Sequence, residues 1–285
     1  MLKRTLTAVG ILAIVFGFVL GLRQIHVAFV FGLILVISVI GTYEMCKCLK
    51  ATNEYNPMMI VNLIASVAIS VFTYFFDYQG LVLSTLIFII IMLSIFTFDH
   101  KYELKDVFAS IFVLFYPIIP IALFIHINNL AVGLYAMLLT IFVPAMTDTM
   151  AYFTGFLIGG KKLCPTISPK KTVAGAIGGV FGGIIGALLI WLLFDVVGLF
   201  NSFNNVVAVS IHETQWIAIL IYIALGAISA PICEIGDLIA SWIKRKAGIK
   251  DYGNLFPGHG GVMDRIDSII VMIPITLIFI SILGL

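Results

Sequence analysis

The stretch SWIKRKAGIKDYGNLFPGHGGVMDRIDS, residues 241–268, decides how the rest of the chain is read. It is packed with charge and glycine, yet apolar runs bound it on both sides, near 215–242 and 265–283. A membrane-spanning helix needs about 20 mostly apolar residues, and both runs meet that length. The polar stretch is therefore a loop between two spans, and its charges lie at or just inside a membrane face.

Composition extends this reading to the whole chain. Of 285 residues, 62% are hydrophobic and 11% charged, against about 25% charged in a soluble domain. The expected fold class is all-α: a polytopic integral membrane protein in one membrane domain, residues 1–285. It divides into N-terminal helices, 1–130, and catalytic helices with cytoplasmic loops, 131–285. Spans are expected near 5–22, 26–43, 57–76, 80–98, 107–126, 131–157, 173–199, 215–242 and 265–283, about nine in all. The first run is read as a retained helix and not a secretory leader, because no small-x-small cleavage site closes it. The cysteines Cys46, Cys48, Cys164 and Cys233 show no zinc spacing and are expected to be reduced.

Lys and Arg gather on the cytoplasmic side of membrane proteins. With the N-terminus inside, the inner segments hold Lys3, Arg4, Lys47, Lys50, Lys101, Lys105, Lys161, Lys162, Lys170, Lys171, Lys244, Arg245, Lys246 and Lys250, with Arg265 at the edge. Of the 16 basic residues only Arg23 falls outside. Within the span near 173–186, Gly175, Gly179 and Gly183 recur every four residues, and so do Gly178, Gly182 and Gly186. That pattern predicts close helix packing.

Acids inside a membrane segment cost about 2.5–3.5 kcal/mol each at the helix centre. Asp195, near an outer end, is given no role. Glu234, Asp237, Ser241, Lys244 and Arg245 share one helical face. Asp264 and Asp267 start the last span at i, i+3, and Asp148 and Tyr152 stand at i, i+4. Three helices thus bring acids toward one membrane face. Such acids either relay protons or bind a transported cation, or they chelate a divalent metal with phosphate oxygens completing its shell. Nearby, SPKKT supplies Ser168, Lys170, Lys171 and Thr172 directly before a glycine-rich helix N-terminus, which favours anions. Lys244, Arg245, Lys250, His259 and the bare backbone of Gly260 and Gly261 add further phosphate-type donors. Carboxylates, cations and glycines together compose a polyphosphate site.

These residues carry a resemblance. Ser241-x-Ile243-Lys244-Arg245, four residues, then Lys250-Asp251-x-Gly253-x-x-Phe256-Pro257-x-His259-Gly260-Gly261-Val262-x-Asp264-Arg265-Ile266-Asp267 resembles the signature of phosphatidate cytidylyltransferases (CDP-diacylglycerol synthases). DTMAYFTGFLIGGKKLCPTISPKKT, residues 148–172, is similar to that family's second motif block. In one departure, Val173 and Ala174 stand where many relatives have an aromatic residue and a glutamate. Any role of that glutamate is absent or taken by Glu234 or Asp148. Thr147 and Thr149 also differ from the commonest family wording.

The resemblance implies transfer from CTP to phosphatidate, with Mg²⁺ as cofactor and pyrophosphate released. It assigns Asp237 and Asp264 to the metal, with Asp267 as a supporting ligand or the ligand of a second, monovalent cation. Lys244, Arg245, Lys250, His259, Ser168, Lys170, Lys171 and Thr172 would hold phosphates, and Asp148 and Tyr152 would line the cavity. Asp251, Ser241, Gly260, Gly261 and Arg265 complete the expected site. It further implies a multi-pass protein of a bacterial-type inner membrane, a cytoplasmic-side active site, contact with membrane lipids, a homodimer and no nucleic-acid partner. The rival readings are a CTP-dependent polyprenol or phytol kinase, and a cation- or proton-coupled transporter. The transporter has no need of the lysine-rich loops, and no inverted half-chain repeat is visible.

Overall fold

The computed structural model describes residues 10, 13–99, 101–199, 214–258 and 260–285. Among the described residues it is helical apart from one small hairpin. In chain order the elements are α1 (Ala13–Ile25), α2 (Ala28–Lys50), α3 (Met59–Phe98), α4 (Leu104–Asn129) and α5 (Gly133–Leu157). The hairpin strands β1 (Lys162–Cys164) and β2 (Ser168–Thr172) follow, then α6 (Val173–Val196), α7 (Gln215–Lys246) and α8 (Met263–Leu283). Among the described residues seven helices, α2 to α8, are long and apolar enough to cross a membrane.

The 40-residue α3 contains both spans expected at 57–76 and 80–98. Asp77 breaks it, with φ 50 and ψ −138, outside any helical region. Gly80 then lies directly against the Phe72 carbonyl, where a Cβ would have no room. Asn129 secures the break: its side-chain amide donates to the Tyr74 carbonyl at 3.0 Å and to Asp77 Oδ1 at 3.1 Å. The expected first span, 5–22, lies partly outside the described residues, as do Lys3, Arg4 and His259. Hydropathy predicts an inner loop from Glu44 onward, but α2 continues to Lys50. No helix-breaking residue interrupts TYEMCKCLK, so the helix carries Glu44, Lys47 and Lys50 on its last turns.

The chain forms two compact units, one of Met1–Asn129 with Ile243–Ile266, the other of Leu130–Trp242 with Asp267–Leu285. The polar segment 243–266 thus belongs with the N-terminal helices, although the spans on either side of it belong to the other unit.

In the second unit the glycines of α6 do the packing. Gly175 sits on Gly155 and the Ala151 carbonyl, Gly182 on the Met146 carbonyl, and Gly186 on Phe142 and Val143, all of α5. Gly183 and Gly179 turn to α7, Gly183 against Ala230 and Gly226 and Gly179 against Glu234. Both rows are consumed inside one chain. Thr140 and Thr276 join α5 to α8 by a 2.9 Å hydroxyl contact. The four cysteines are free, and Cys46, Cys48 and Cys233 are buried.

Because a Cβ at Gly182 would collide with α5 backbone, Gly182→Val is expected to destabilise the protein by about 1–3 kcal/mol or more. Ile177→Leu, on the outward face of the same helix, should leave stability unchanged. Thermal unfolding of both variants in detergent checks the contrast.

Candidate functional site

In the first unit the loop after α7 folds back onto the start of α8. Asp264, in the first turn of α8, is only 8% exposed. The Lys244 ammonium donates to its Oδ1 at 2.7 Å. Its Oδ2 accepts the Tyr252 N–H at 2.8 Å and the Gly261 N–H at 2.9 Å. Lys244 also lies over the Tyr252 ring, 5.2 Å from its centroid. Both Asp264 oxygens are thereby engaged, one by a cation and the other by two backbone donors.

A second carboxylate meets the same helix start. Glu44, 5% exposed, comes from the end of α2. Its Oε1 accepts the Val262 N–H at 3.1 Å and its Oε2 the Met263 N–H at 2.9 Å. These are among the N–H groups that a helix start leaves without intrahelical partners, and a carboxylate there also suits the helix dipole. The glycines of the loop make room for these acids. A Cβ on Gly253 or Gly261 would strike the Glu44 carboxylate, and one on Gly260, at φ +82, would crowd Asp264. The bare backbone at 260–261 therefore wraps the protein's own carboxylates. A backbone bridge from the Phe256 N–H to the Gly260 carbonyl, 2.9 Å, closes the turn. Around this buried centre, Arg245, Lys250, Asp251 and Arg265 are exposed, and Arg245 donates to the Ile249 carbonyl at 3.3 Å.

In the second unit the acids gather from three helices. Asp237 of α7 pairs with Lys171 at 2.7 Å and receives a 3.4 Å contact from the Ser241 hydroxyl. Lys171 is placed by the hairpin, in which Lys162 faces Thr172 and Cys164 faces Ser168. Thr172 then caps α6, its hydroxyl accepting the Gly175 N–H at 3.0 Å. Lys170 is exposed and Ser168 half-buried. At the crossing of α7 and α8, Gly236 lies beside the Asp267 carbonyl and Val271, so Asp237 and Asp267 come from neighbouring turns of two touching helices. Asp267 Oδ1 accepts the N–H of Ser268. The Ser268 hydroxyl in turn reaches Asp148 Oδ2 of α5 at 3.5 Å. Tyr152 takes no part in this cluster: it is 68% exposed and stacks on Phe156.

One turn deeper, Glu234 is 7% exposed and packed on Gly179. Its Oε1 has no hydrogen-bond partner among the described residues, while Lys171, Asp148 and Asp237 all act on it electrostatically. Glu234 is thus packed against α6.

Among the described residues no three His, Cys, Asp or Glu side chains form a group able to hold a metal. Mg²⁺ does not need one, since one or two carboxylates plus substrate phosphates commonly suffice. Asp237 and Asp267, on neighbouring turns of two touching helices, are hard oxygen donors of the kind that ion takes.

Helices of membrane-crossing length that concentrate carboxylates, lysines and a capped glycine-rich helix start define a membrane protein built to handle anionic, phosphate-like groups. Comparison with known proteins gives this class a family. The Cytidylyltransferase family model matches residues 2–283, and the chain belongs to that family. Proteins named phosphatidate cytidylyltransferase are similar to it. That of Staphylococcus haemolyticus is 37% identical over 143 residues, 50% of this chain and 48% of the relative. That of Aquifex aeolicus is 33% identical over 184 residues, 65% of this chain and 61% of the relative. That of Brucella abortus is 37% identical over 133 residues, 47% and 42% of the two chains. The chain thus spans about half the length of the curated relatives it matches, rising to 61% for the Aquifex protein.

Breaking the Lys244–Asp264 pair leaves a buried ammonium without its counter-charge. Asp264→Asn is expected to cost about 3–5 kcal/mol of stability, whereas Asp237→Asn, at a pair whose acid is 27% exposed, should cost about 1 kcal/mol or less. Chemical unfolding of the two variants side by side tests the ranking.

Proposed function

We propose that this chain is a phosphatidate cytidylyltransferase, converting CTP and phosphatidate to CDP-diacylglycerol and pyrophosphate at the cytoplasmic side of a bacterial inner membrane. The observation that carries the reading is the Lys171–Asp237 pair beside Asp267 and Asp148. It puts acid, cation and phosphate-type donors together at the ends of membrane helices in a chain of the Cytidylyltransferase family.

In this reaction an oxygen of the lipid phosphate attacks the α-phosphorus of CTP, and the bond to the β-phosphate oxygen breaks as pyrophosphate leaves. The attacking oxygen is anionic near neutral pH, so a dedicated base is unnecessary. What remains for the protein is positioning and charge neutralisation. Lys170, on the exposed side of the hairpin, and Lys171, on its Asp237 side, are suited to hold phosphate oxygens. Lys250, Arg245 and Arg265 present exposed cations to anionic groups. Lys244 acts differently. Buried against Asp264 and Tyr252, it holds the loop that carries them. Asp237 and Asp267 would hold Mg²⁺, which when bound neutralises charge on the phosphates. Asp148 and Ser268 would fix the position of the α8 turn bearing Asp267. A second, monovalent cation beside Asp267 and a homodimeric assembly belong to the same proposal.

Purified protein incubated with phosphatidate, Mg²⁺ and CTP labelled at the α-phosphorus should place the label in the lipid fraction. Asp237→Asn should lower that incorporation by a factor of about 100 or more while the protein stays folded. Label recovered as CDP would assign the chain to lipid kinases. Unlabelled lipid and intact CTP, in a folded preparation, would return the acids to cation transport.

A further inference from the structure

One buried polar contact in the first unit involves a residue to which the chemistry above assigns nothing. Glu44 lies more than 200 positions from its partners in sequence. It is buried, and its two oxygens each take one N–H at the start of α8. Three glycines are shaped around the two carboxylates at this point. Gly253 and Gly261 leave space for Glu44, and Gly260 leaves space for Asp264. On the other side of Glu44, Gly41 of α2 admits the Met263 side chain. A local capping group satisfies only one of the N–H groups that a helix start leaves without intrahelical partners. Here two acids from separate helices share consecutive N–H groups: Asp264 takes that of Gly261, and Glu44 those of Val262 and Met263. Two like charges held this near each other, with Lys244 and Lys47 as the cations acting on them, make a costly arrangement that serves to fix one backbone path.

We propose that Glu44 is a positioning residue. It clamps the loop 252–263 to the end of α2 and so fixes where that loop and the first turn of α8 present their charged groups. The catalytic consequence rests on the cytidylyltransferase reading; the clamp itself does not.

The geometry sets the chemistry that the clamp requires. Two acceptors are needed, so glutamine fails: one of its terminal groups is a donor and would face an N–H. Alanine removes both acceptors.

The test uses the full chain in detergent and reads backbone hydrogen exchange of the peptide covering 252–264 together with turnover. Glu44→Gln should speed exchange in that peptide by about tenfold or more, with exchange in α3 and α5 unchanged. It should lower kcat by about 10–100-fold with a much smaller change in KM for CTP. Because Glu44→Ala also empties a buried position and so loosens its surroundings, a cycle with Gly261→Ala isolates the contact. Alone, Gly261→Ala displaces the carboxylate and speeds exchange. In the Glu44→Ala background its added effect should nearly vanish. Wild-type exchange rates in Glu44→Gln, or strictly additive effects in the cycle, overturn the clamp. Faster exchange with unaltered kcat overturns the positioning role. A wild-type protein without lipid cytidylylation sinks the functional reading alone, and the exchange measurements still decide the clamp.

Discussion

A charge in an apolar chain must find a partner, and this constraint organises the whole structure. With 11% charged residues in a membrane-grade sequence, each acid placed between helices carries a desolvation cost that only a close cation or several N–H groups can offset. The protein meets it in two ways. Asp264 and Glu44 are buried and held by backbone N–H groups and Lys244. Asp237 is held by a single lysine on a hairpin and remains partly open. The first arrangement holds the loop before α8, and the second leaves a carboxylate partly exposed.

The glycines follow from the same constraint. Those of α6 remove side chains so that α5 and α7 can close around Glu234 and Thr147, and those of the 253–261 loop remove side chains so that two carboxylates can enter. Close backbone approach serves the protein's own groups in both places. The polar island of 241–268 therefore splits into parts with separate roles. Lys244, Tyr252, Gly261 and Asp264 set its shape, and Arg245, Lys250 and Arg265 remain on its surface.

Much of this is legible in the sequence because hydropathy and helical spacing are local. The apolar runs mark the helices, and the i, i+4 glycines mark the α6 packing faces. The spacing of Glu234, Asp237 and Ser241 puts them on one side of α7. Glu44 is not legible as part of the loop, because its partners lie 218 and 219 positions away and nothing local distinguishes it from an acid at a helix end. A signal is nevertheless present: an acid ending an apolar run needs named partners, and only Lys47 stands near it in sequence. The role of Asp264 is hidden for a similar reason. Spacing shows that an aspartate opens a helix, but only the folded loop shows that Tyr252 and Gly261 occupy its second oxygen. The hairpin that aims Lys171 at Asp237 depends on strand register, which SPKKT alone does not reveal.

The central claim is that the carboxylates and cations of this membrane protein serve transfer of a cytidylyl group to a lipid phosphate. The stoichiometry of a single assay tests it most directly: pyrophosphate released against CMP-bearing lipid formed, from CTP and phosphatidate. The account predicts one pyrophosphate for each cytidylylated lipid. Release of CDP with a phosphorylated lipid, or nucleotide turnover with no modified lipid at all, would contradict it.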